Sequence, residues 1–166
     1  MTWSIHSIVW RDAGNEEAAA ENFFKSFTNY SHGPFYTWHE GAAPAEGSDD
    51  QGAPYLITGA GGFLQTVWAG YGGVRFEEAG VLSLRKPAPL PGSTRLRLRG
   101  LHFLGARLDV CADVQGWSVA LSSTSPISAP ALEVLATNGT AYSLLPGGIV
   151  YMPSGQDAKV RLASSD

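Results

Sequence analysis

The chain has 166 residues, 44% of them hydrophobic, which is enough to bury the core of one ordinary domain or of two small ones. Its 11 lysines and arginines are outnumbered by 15 aspartates and glutamates, and a net negative charge repels phosphate backbones and anionic membranes. We therefore expect neither nucleic acid nor a membrane as a partner. No apolar run is long enough for a membrane span and no targeting pattern opens the sequence, which favours a soluble chain, with the cytoplasm slightly preferred.

Cysteine and histidine usage argues against metal and disulfide chemistry. Cys111 is the single cysteine, so no internal disulfide can form, and its alternating apolar surroundings predict a buried, inert thiol. The histidines are too scattered along the sequence for a metal template. We expect no metal and no cofactor. The histidines are His6, His32, His39 and His102.

The first part of the chain has the hydrophobic spacing of two short helices. The first is predicted over 3–10, and the second begins after Asn15, which is a favourable N-terminal cap. Phe23 and Phe27 recur on one face of the second helix. This part has more apolar side chains than it can cover by itself, which predicts the tail of a larger helical assembly.

A long irregular stretch, 28–54, is rich in Gly, Pro, Ser and Asp, and loops of this length are usually functional or disordered. We expect its aromatic part, 34–40, to be ordered and the small, polar part, 41–52, to be mobile. Helical spacing then resumes over 55–70, although this segment contains several glycines that weaken a helix. Tight helix packing is the favoured explanation of those glycines, and the floor of a sugar site is the alternative. The glycines are Gly59, Gly61 and Gly62.

From Val74 onward the hydrophobic period changes from that of a helix to the two-residue period of strands. Short strands separated by polar turns, with no helical pattern between them, predict an antiparallel β-sandwich. We place the domain boundary near Gly72, which gives a helical domain over 1–72 and a β-domain over 73–166, poorly defined after about 122. The predicted strands lie at 81–85, 94–99, 107–110 and 117–121 and around Leu132, Leu144, Val150 and Val160.

Three arginines alternate with apolar residues in the second predicted strand. Arg95, Arg97 and Arg99 fall on one side of such a strand, where they would form its solvent-exposed face. A nucleic-acid contact is a remote alternative for this stripe.

Glu40 is the residue that we expect to carry chemistry. It follows an aromatic run and precedes a flexible loop, an arrangement that suits a carboxylate at the edge of a sugar pocket. Tyr36 and Trp38 could present ring faces to the sugar, and the carboxylate could take a proton from water as that water attacks. The alternative is an ordinary surface glutamate next to an aromatic core segment.

Three segments, taken together and in this order, resemble a known family. FYTWHE at 35–40, LITGAGGFLQ at 56–65 and GYGGV at 70–74 are similar to the C-terminal portion of glycoside hydrolase family 65, and within it to the acid-trehalase-like hydrolases. The resemblance runs from the start of the chain to about residue 114. It implies an α+β fold, with the last helices of an (α/α)6 barrel followed by an antiparallel β-sandwich.

The resemblance also implies an activity, that of an inverting exo-α-glucosidase. Glu40 matches the glutamate that serves the family's hydrolases as general base, whereas the phosphorylases leave that role to phosphate. The implied substrate is a carbohydrate, namely a glucosyl disaccharide, with the disaccharide on collagen hydroxylysine as one candidate. Besides the base, the resemblance and the aromatic setting suggest substrate contacts from Trp38, His39, Thr58 and Gln65.

Inverting hydrolysis also needs a general acid across the sugar from the base. In the family this acid lies upstream, in a part that the chain lacks, so we expect the isolated chain to be inactive. Glu46, Asp49 and Asp50 are interpreted as solvated loop acids and not as substitutes. His39 departs from the family, which has a small hydroxyl residue there, and the stretch 41–54 is longer than usual.

Two other functions remain open at this stage. The first is a disaccharide phosphorylase of the same family. The second is a β-sandwich that binds carbohydrate or supports a partner without catalysis. The sequence predicts no oligomeric state.

Overall fold

A computed structural model describes residues 2–32, 35–41, 55–122 and 130–163. It combines a few helices with antiparallel sheets, so the chain is of the α+β class. The chain divides into two compact units, Met1–Gly70 and Tyr71–Asp166. The predicted boundary lies two residues beyond this division, and the assignment of the two units as domains remains a prediction.

The first unit begins with two helices, α1 (Thr2–Asp12) and α2 (Glu16–Lys25). The side chain of Asn15 accepts a hydrogen bond of 3.0 Å from the backbone N–H of Ala18, which confirms the predicted cap. The helices pack in part through polar contacts, because the Ser7 hydroxyl donates to the Ala19 carbonyl at 2.8 Å.

After α2 the chain forms a small hairpin and then a third helix. Strands β1 (Ser31–His32) and β2 (Thr37–Trp38) pair antiparallel, a regular element that the sequence did not predict. Helix α3 (Ile57–Gln65) continues into a π-helix (Thr66–Tyr71), so the predicted 55–70 helix contains two helical geometries. In the described part of the chain, no helix is long and apolar enough to cross a membrane.

The interior of the first unit is aromatic on one side and polar at its centre. Phe23, Phe27 and Phe63 pack with ring centroids 5.4 to 5.7 Å apart. The buried Thr66 hydroxyl lies 3.0 Å from the Ser4 carbonyl oxygen. Several large apolar side chains of α1 and α3 remain exposed to solvent. They are Ile5, Val9, Trp10, Ile57 and Leu64.

The described residues of the second unit form nine strands in two antiparallel sheets, with a short 3-10 helix (Glu78–Gly80) between the first two strands. The strands are β3 (Val74–Glu77), β4 (Val81–Leu84), β5 (Arg95–Phe103), β6 (Ala106–Asp113), β7 (Gly116–Leu121), β8 (Leu132–Ala136), β9 (Ala141–Leu144), β10 (Ile149–Pro153) and β11 (Ala158–Leu162). One sheet has the order β10-β7-β6-β5 and the other the order β3-β4-β11-β8-β9. A strand lies at each position where the alternating pattern predicted one, and β3 was not predicted as a separate strand.

Both sheets bury one side of most of their strands, as the two-residue period requires. In β6 the inward residues Leu108 and Val110 are almost fully buried, whereas Asp109 between them is partly exposed. The predicted exposed stripe of arginines is confirmed, since Arg95, Arg97 and Arg99 all lie on the outside of β5.

The prediction that Cys111 is buried is wrong. Because Val110 and Ala112 point inward, Cys111 lies on the outer face of β6 and is only half-buried. Its sulfur accepts a hydrogen bond from Arg95 Nε at 3.0 Å. The apolar neighbours in sequence lie in the core, but the thiol belongs to the opposite face.

Candidate active site

The segment that carries Glu40 leaves strand β2 and is held on both sides by the backbone. The His39 N–H donates to the Tyr30 carbonyl at 2.8 Å, and the Leu56 N–H donates to the Trp38 carbonyl at 2.7 Å. The first bond ties the segment to Tyr30, immediately before β1, and the second ties it to the start of α3. Glu40 therefore follows a dipeptide that two backbone hydrogen bonds hold in place.

Trp38 anchors this segment through its indole ring. Its Nε1–H donates to the carbonyl of Ser26 at 3.1 Å, and the ring lies 5.3 Å from the ring of Phe63. The ring also covers Gly59, where an added Cβ would be 2.9 Å from Trp38 Cδ1. The expected tight packing at a glycine of α3 is confirmed at this position. Trp38 remains half-buried, so part of its ring is accessible.

His39 is only 6% exposed, which makes it a largely internal residue. Its Nε2 lies 3.3 Å from the hydroxyl of Thr37, two residues earlier. The imidazole is therefore held next to the strand that precedes Glu40. Its suggested contact with substrate remains a prediction.

Glu40 itself is exposed at a bend, where its carboxylate is accessible to water. Two exposed aromatic residues, Phe35 and Tyr36, lie in the turn immediately before β2. Tyr36 has a left-handed backbone with φ of 53°, and the Ser31 hydroxyl donates to its carbonyl at 3.1 Å. Such a conformation costs a non-glycine residue roughly 1 to 2 kcal/mol and is found mainly where function or tight turns require it.

Thr58 and Gln65 lie on one exposed face of α3. They are separated by two helical turns, which corresponds to roughly 10 Å along the helix axis. Gly61 lies between them on this face, where an added Cβ would have no neighbour within 4 Å. The opposite side of the helix, at Gly59, faces Trp38. The structure therefore connects Glu40 to α3 through Trp38, while Thr58 and Gln65 themselves face solvent.

Sequence reasoning missed the residues that hold the segment in place. Ser26 and Tyr30 contribute backbone carbonyls, which carry no signal in the amino-acid type. The acids Glu46, Asp49 and Asp50 lie outside the described residues. Within the described ranges, no three His, Cys, Asp or Glu side chains are grouped in a way that could hold a metal ion.

Comparisons with known proteins identify the family of the chain. The chain is 34% identical to a protein-glucosylgalactosylhydroxylysine glucosidase from Dictyostelium discoideum, over 71% of the chain, and 31% identical to the one from Danio rerio, over 99% of the chain. It is also 30% identical to a cell wall acid trehalase from Arthroderma benhamiae, over 94% of the chain. The resemblance to glycoside hydrolase family 65 is confirmed. No protein-family model matches the chain.

The family 65 resemblance extends over more of the chain than the motifs indicated. The match to the Danio rerio glucosidase includes 165 residues, whereas the motifs supported a resemblance only to about residue 114. A solved structure described as a kojibiose phosphorylase from the human microbiome has the same fold, with a TM-score of 0.58 over 90% of the chain at 16% identity. The chain spans only 15% to 24% of the lengths of the curated relatives named above.

Proposed function

We propose that the chain forms part of an inverting exo-α-glucosidase in which Glu40 is the general base. The proposed substrate is a glucosyl disaccharide, with the glucosyl-galactosyl unit of collagen hydroxylysine as the specific candidate, because several relatives are named for that glucosidase. The general acid would come from a part of the parent protein that is not included in this chain.

The exposed carboxylate at the end of an anchored segment is the observation that supports this proposal. A general base must reach the water that it deprotonates and must be held within hydrogen-bond distance of it. Glu40 is open to water, and the backbone bonds at Trp38 and His39 fix the chain immediately before it. An inverting mechanism leaves roughly 6.5 to 9.5 Å between base and acid for that water, so the acid must face Glu40 from a separate element.

The exposed surface of the first unit supports a helical surrounding. Ile57 is 81% exposed and Leu64 is 61% exposed on α3, beside Thr58 and Gln65. We infer that further helices of an (α/α)6 barrel cover these apolar side chains and leave the polar side chains of Thr58 and Gln65 near the sugar. The two sheets of the second unit would pack through their buried faces as a β-sandwich.

A chimeric enzyme tests this function. In the Danio rerio glucosidase, the 165 aligned residues are replaced by this chain, and the product is incubated with glucosyl-galactosyl-hydroxylysine. We expect release of glucose that is initially the β-anomer, as detected by proton NMR, because inversion reverses the configuration at the anomeric carbon. The substitution Glu40→Gln should lower kcat by roughly 10² to 10⁴, the usual contribution of general base catalysis.

Glu17→Gln is the matched control, because Glu17 is an exposed glutamate on α2 and should not affect kcat. Release of a sugar phosphate only when phosphate is supplied would instead identify a phosphorylase. Full activity in the Glu40→Gln chimera would contradict the assignment of the base. The unmodified chain, assayed alone, should release no glucose.

A further inference from the structure

The outer face of the four-stranded sheet contains a groove of about 700 Å³. Its floor is formed by the two central strands, β6 and β7, where the outward side chains are small. One wall is formed by arginines of the edge strand β5, and the other by the larger outward residues of the edge strand β10. The floor residues are Cys111, Gly116, Ser118 and Ala120.

The strand register places the two walls opposite each other. Arg97 pairs with Cys111, Cys111 with Ser118, and Ser118 with Tyr151, so these four residues cross the sheet in one row. Three strand spacings separate the backbones of the outer two, which is roughly 14 Å. A groove of this width has room for a ligand larger than a single small molecule or ion.

The arginine wall is held in place by hydrogen bonds. Arg97 Nη2 donates to Asp109 Oδ2 at 2.8 Å, and Arg95 Nε donates to Cys111 Sγ at 3.0 Å. Asp109 is fixed in turn, because its Oδ1 accepts from the backbone N–H of Gly100 at 2.9 Å. Binding a ligand here would restrict few additional side-chain rotations, and this lowers the entropic cost of binding.

The opposite wall offers an aromatic ring. Tyr151 is 73% exposed on β10, and Ile149 beside it is 51% exposed. An exposed tyrosine, with its ring face and its hydroxyl, is suited to ligands that have both an apolar surface and polar groups. A pyranose ring, with its C–H face and its rim of hydroxyls, has this character.

The charge of the groove favours a neutral ligand. Arg95 and Arg97 are balanced on the groove lining by Asp109 and Asp113. The lining thus presents donors and acceptors in comparable number and no excess of positive charge for a phosphate or sulfate group. An extended peptide is less suitable, because the backbone groups of β6 and β7 already pair with neighbouring strands on both sides.

We propose that this groove is a binding site for a neutral oligosaccharide. Tyr151 would stack against one sugar ring, and Arg97, Asp109 and Ser118 would hydrogen-bond to its hydroxyls. The site uses none of the residues assigned to hydrolysis. Whether this groove binds oligosaccharide is therefore independent of the role of Glu40.

Cys111 provides a reporter for this site, because it is the single cysteine and lies on the floor of the groove. In the full chain, the rate at which Cys111 reacts with iodoacetamide is measured with increasing maltopentaose. We expect the sugar to slow the reaction to a saturating limit, which gives a dissociation constant. The same titration with a sulfated, heparin-derived pentasaccharide should give no protection.

Four variants locate the site. Tyr151→Ala should weaken maltopentaose binding by about tenfold, since one stacked ring is lost, whereas Tyr151→Phe should retain it. Tyr142→Ala removes an exposed tyrosine from β9, in the other sheet, and should bind like the original chain. Ser118→Trp should abolish protection because it fills the floor.

Several results would overturn the proposal. One is the absence of protection by about 10 mM maltopentaose, a concentration that detects even millimolar binding. Another is protection by the sulfated sugar alone, which would indicate an anion site. A third is equal binding by the Tyr151→Ala and Tyr142→Ala chains. The Glu40→Gln chain should bind maltopentaose with the same dissociation constant as the original chain, which separates this test from that of hydrolysis.

Discussion

Trp38 and Gly59 depend on each other at the scale of single residues. The indole occupies the space that a side chain at position 59 would need, and it thereby brings β2 against α3. The sequence indicated tight packing at the glycines of this helix, but it could not distinguish Gly59 from Gly61. That difference depends on Trp38, which is 21 residues away and reaches α3 only in the folded chain.

The two glycines should respond in opposite directions to the same substitution. Gly59→Ala should destabilise the chain by about 1 to 3 kcal/mol, because the new methyl group overlaps Trp38. Gly61→Ala should stabilise it by up to about 1 kcal/mol, because alanine favours a helix and meets no neighbour. Urea unfolding followed by circular dichroism measures both values. Equal effects would contradict the described packing of Trp38.

Asp109 provides a prediction of pH dependence. Burial raises the pKa of its carboxyl group, but hydrogen bonds from the Gly100 N–H and from Arg97 outweigh this effect and leave the pKa below its usual value. A lowered pKa in the folded state stabilises the protein above the unfolded-state pKa, and this contribution is lost as the pH falls through the folded-state pKa. Asp109→Asn should therefore cost about 1 kcal/mol at neutral pH.

The cost of Asp109→Asn should shrink as the pH is lowered from about 5 toward 3, since the carboxyl group of the original chain then becomes protonated. Urea unfolding of both chains at a series of pH values measures the difference. Asp157→Asn is a suitable control, because Asp157 also accepts a backbone hydrogen bond, from Lys86, but has no ion pair with an arginine among the contacts described. A pH-independent cost for Asp109→Asn would show that its charge does not contribute.

At the scale of elements, periodic segments were predictable and short ones were not. Helices α1 and α2 and the strands with alternating apolar residues were found where the hydrophobic period indicated them. Strands β1 and β2 have two residues each, too few to establish a period, and they form because Ser31 pairs with Trp38. The π-helix at the end of α3 was also missed, since its buried polar contact at Thr66 involves Ser4, far away in sequence.

Arg11 on α1 contacts both α2 and the π-helix, and its side chain is only 6% exposed. Its Nε donates to the Gly70 carbonyl at 3.1 Å, and its Nη1 pairs with Glu16 at 2.6 Å. Arg11→Met keeps the aliphatic stem but leaves the buried carbonyl of Gly70 without this donor, and should destabilise the chain by about 2 kcal/mol. Thermal unfolding measures this loss.

Lys25→Met is the matched control for Arg11→Met. Lys25 pairs with Glu21 at 2.6 Å, but on the exposed side of α2, where such a pair contributes about 0.3 to 0.5 kcal/mol. A comparable loss of stability in the two variants would show that Arg11 contributes no more than a surface ion pair.

At the scale of the whole molecule, the two units differ in how complete their interiors are. Among the described residues, the largest fully buried apolar side chains belong to the second unit, including Leu82, Leu108 and Val134. In the described part of the first unit, the largest fully buried side chains are smaller and polar, namely those of Thr66 and Ser4. The sequence predicted this contrast from the unmatched aromatic residues at its start. It could not predict the groove on the sheet, which depends on strand order.

A polypeptide of residues 71–166 should therefore fold alone, with a β-type circular dichroism spectrum and one cooperative thermal transition. A polypeptide of residues 1–70 should bind a hydrophobic dye and unfold without a sharp transition, because much of its apolar surface is exposed. Cooperative unfolding of the shorter polypeptide, or disorder of the longer one, would contradict the proposed division into domains.

The bond from the Leu56 N–H to the Trp38 carbonyl has a consequence for how the length of this chain can vary. This hydrogen bond holds Trp38 and Leu56 next to each other, so the segment between them begins and ends at the same place in the fold. Doubling the length of a segment whose ends are held together raises the entropic free-energy cost of closing it by only about 0.6 kcal/mol. The segment between these two residues can therefore change in length at a small cost in free energy, because the hydrogen bond between Leu56 and Trp38 holds its two ends together.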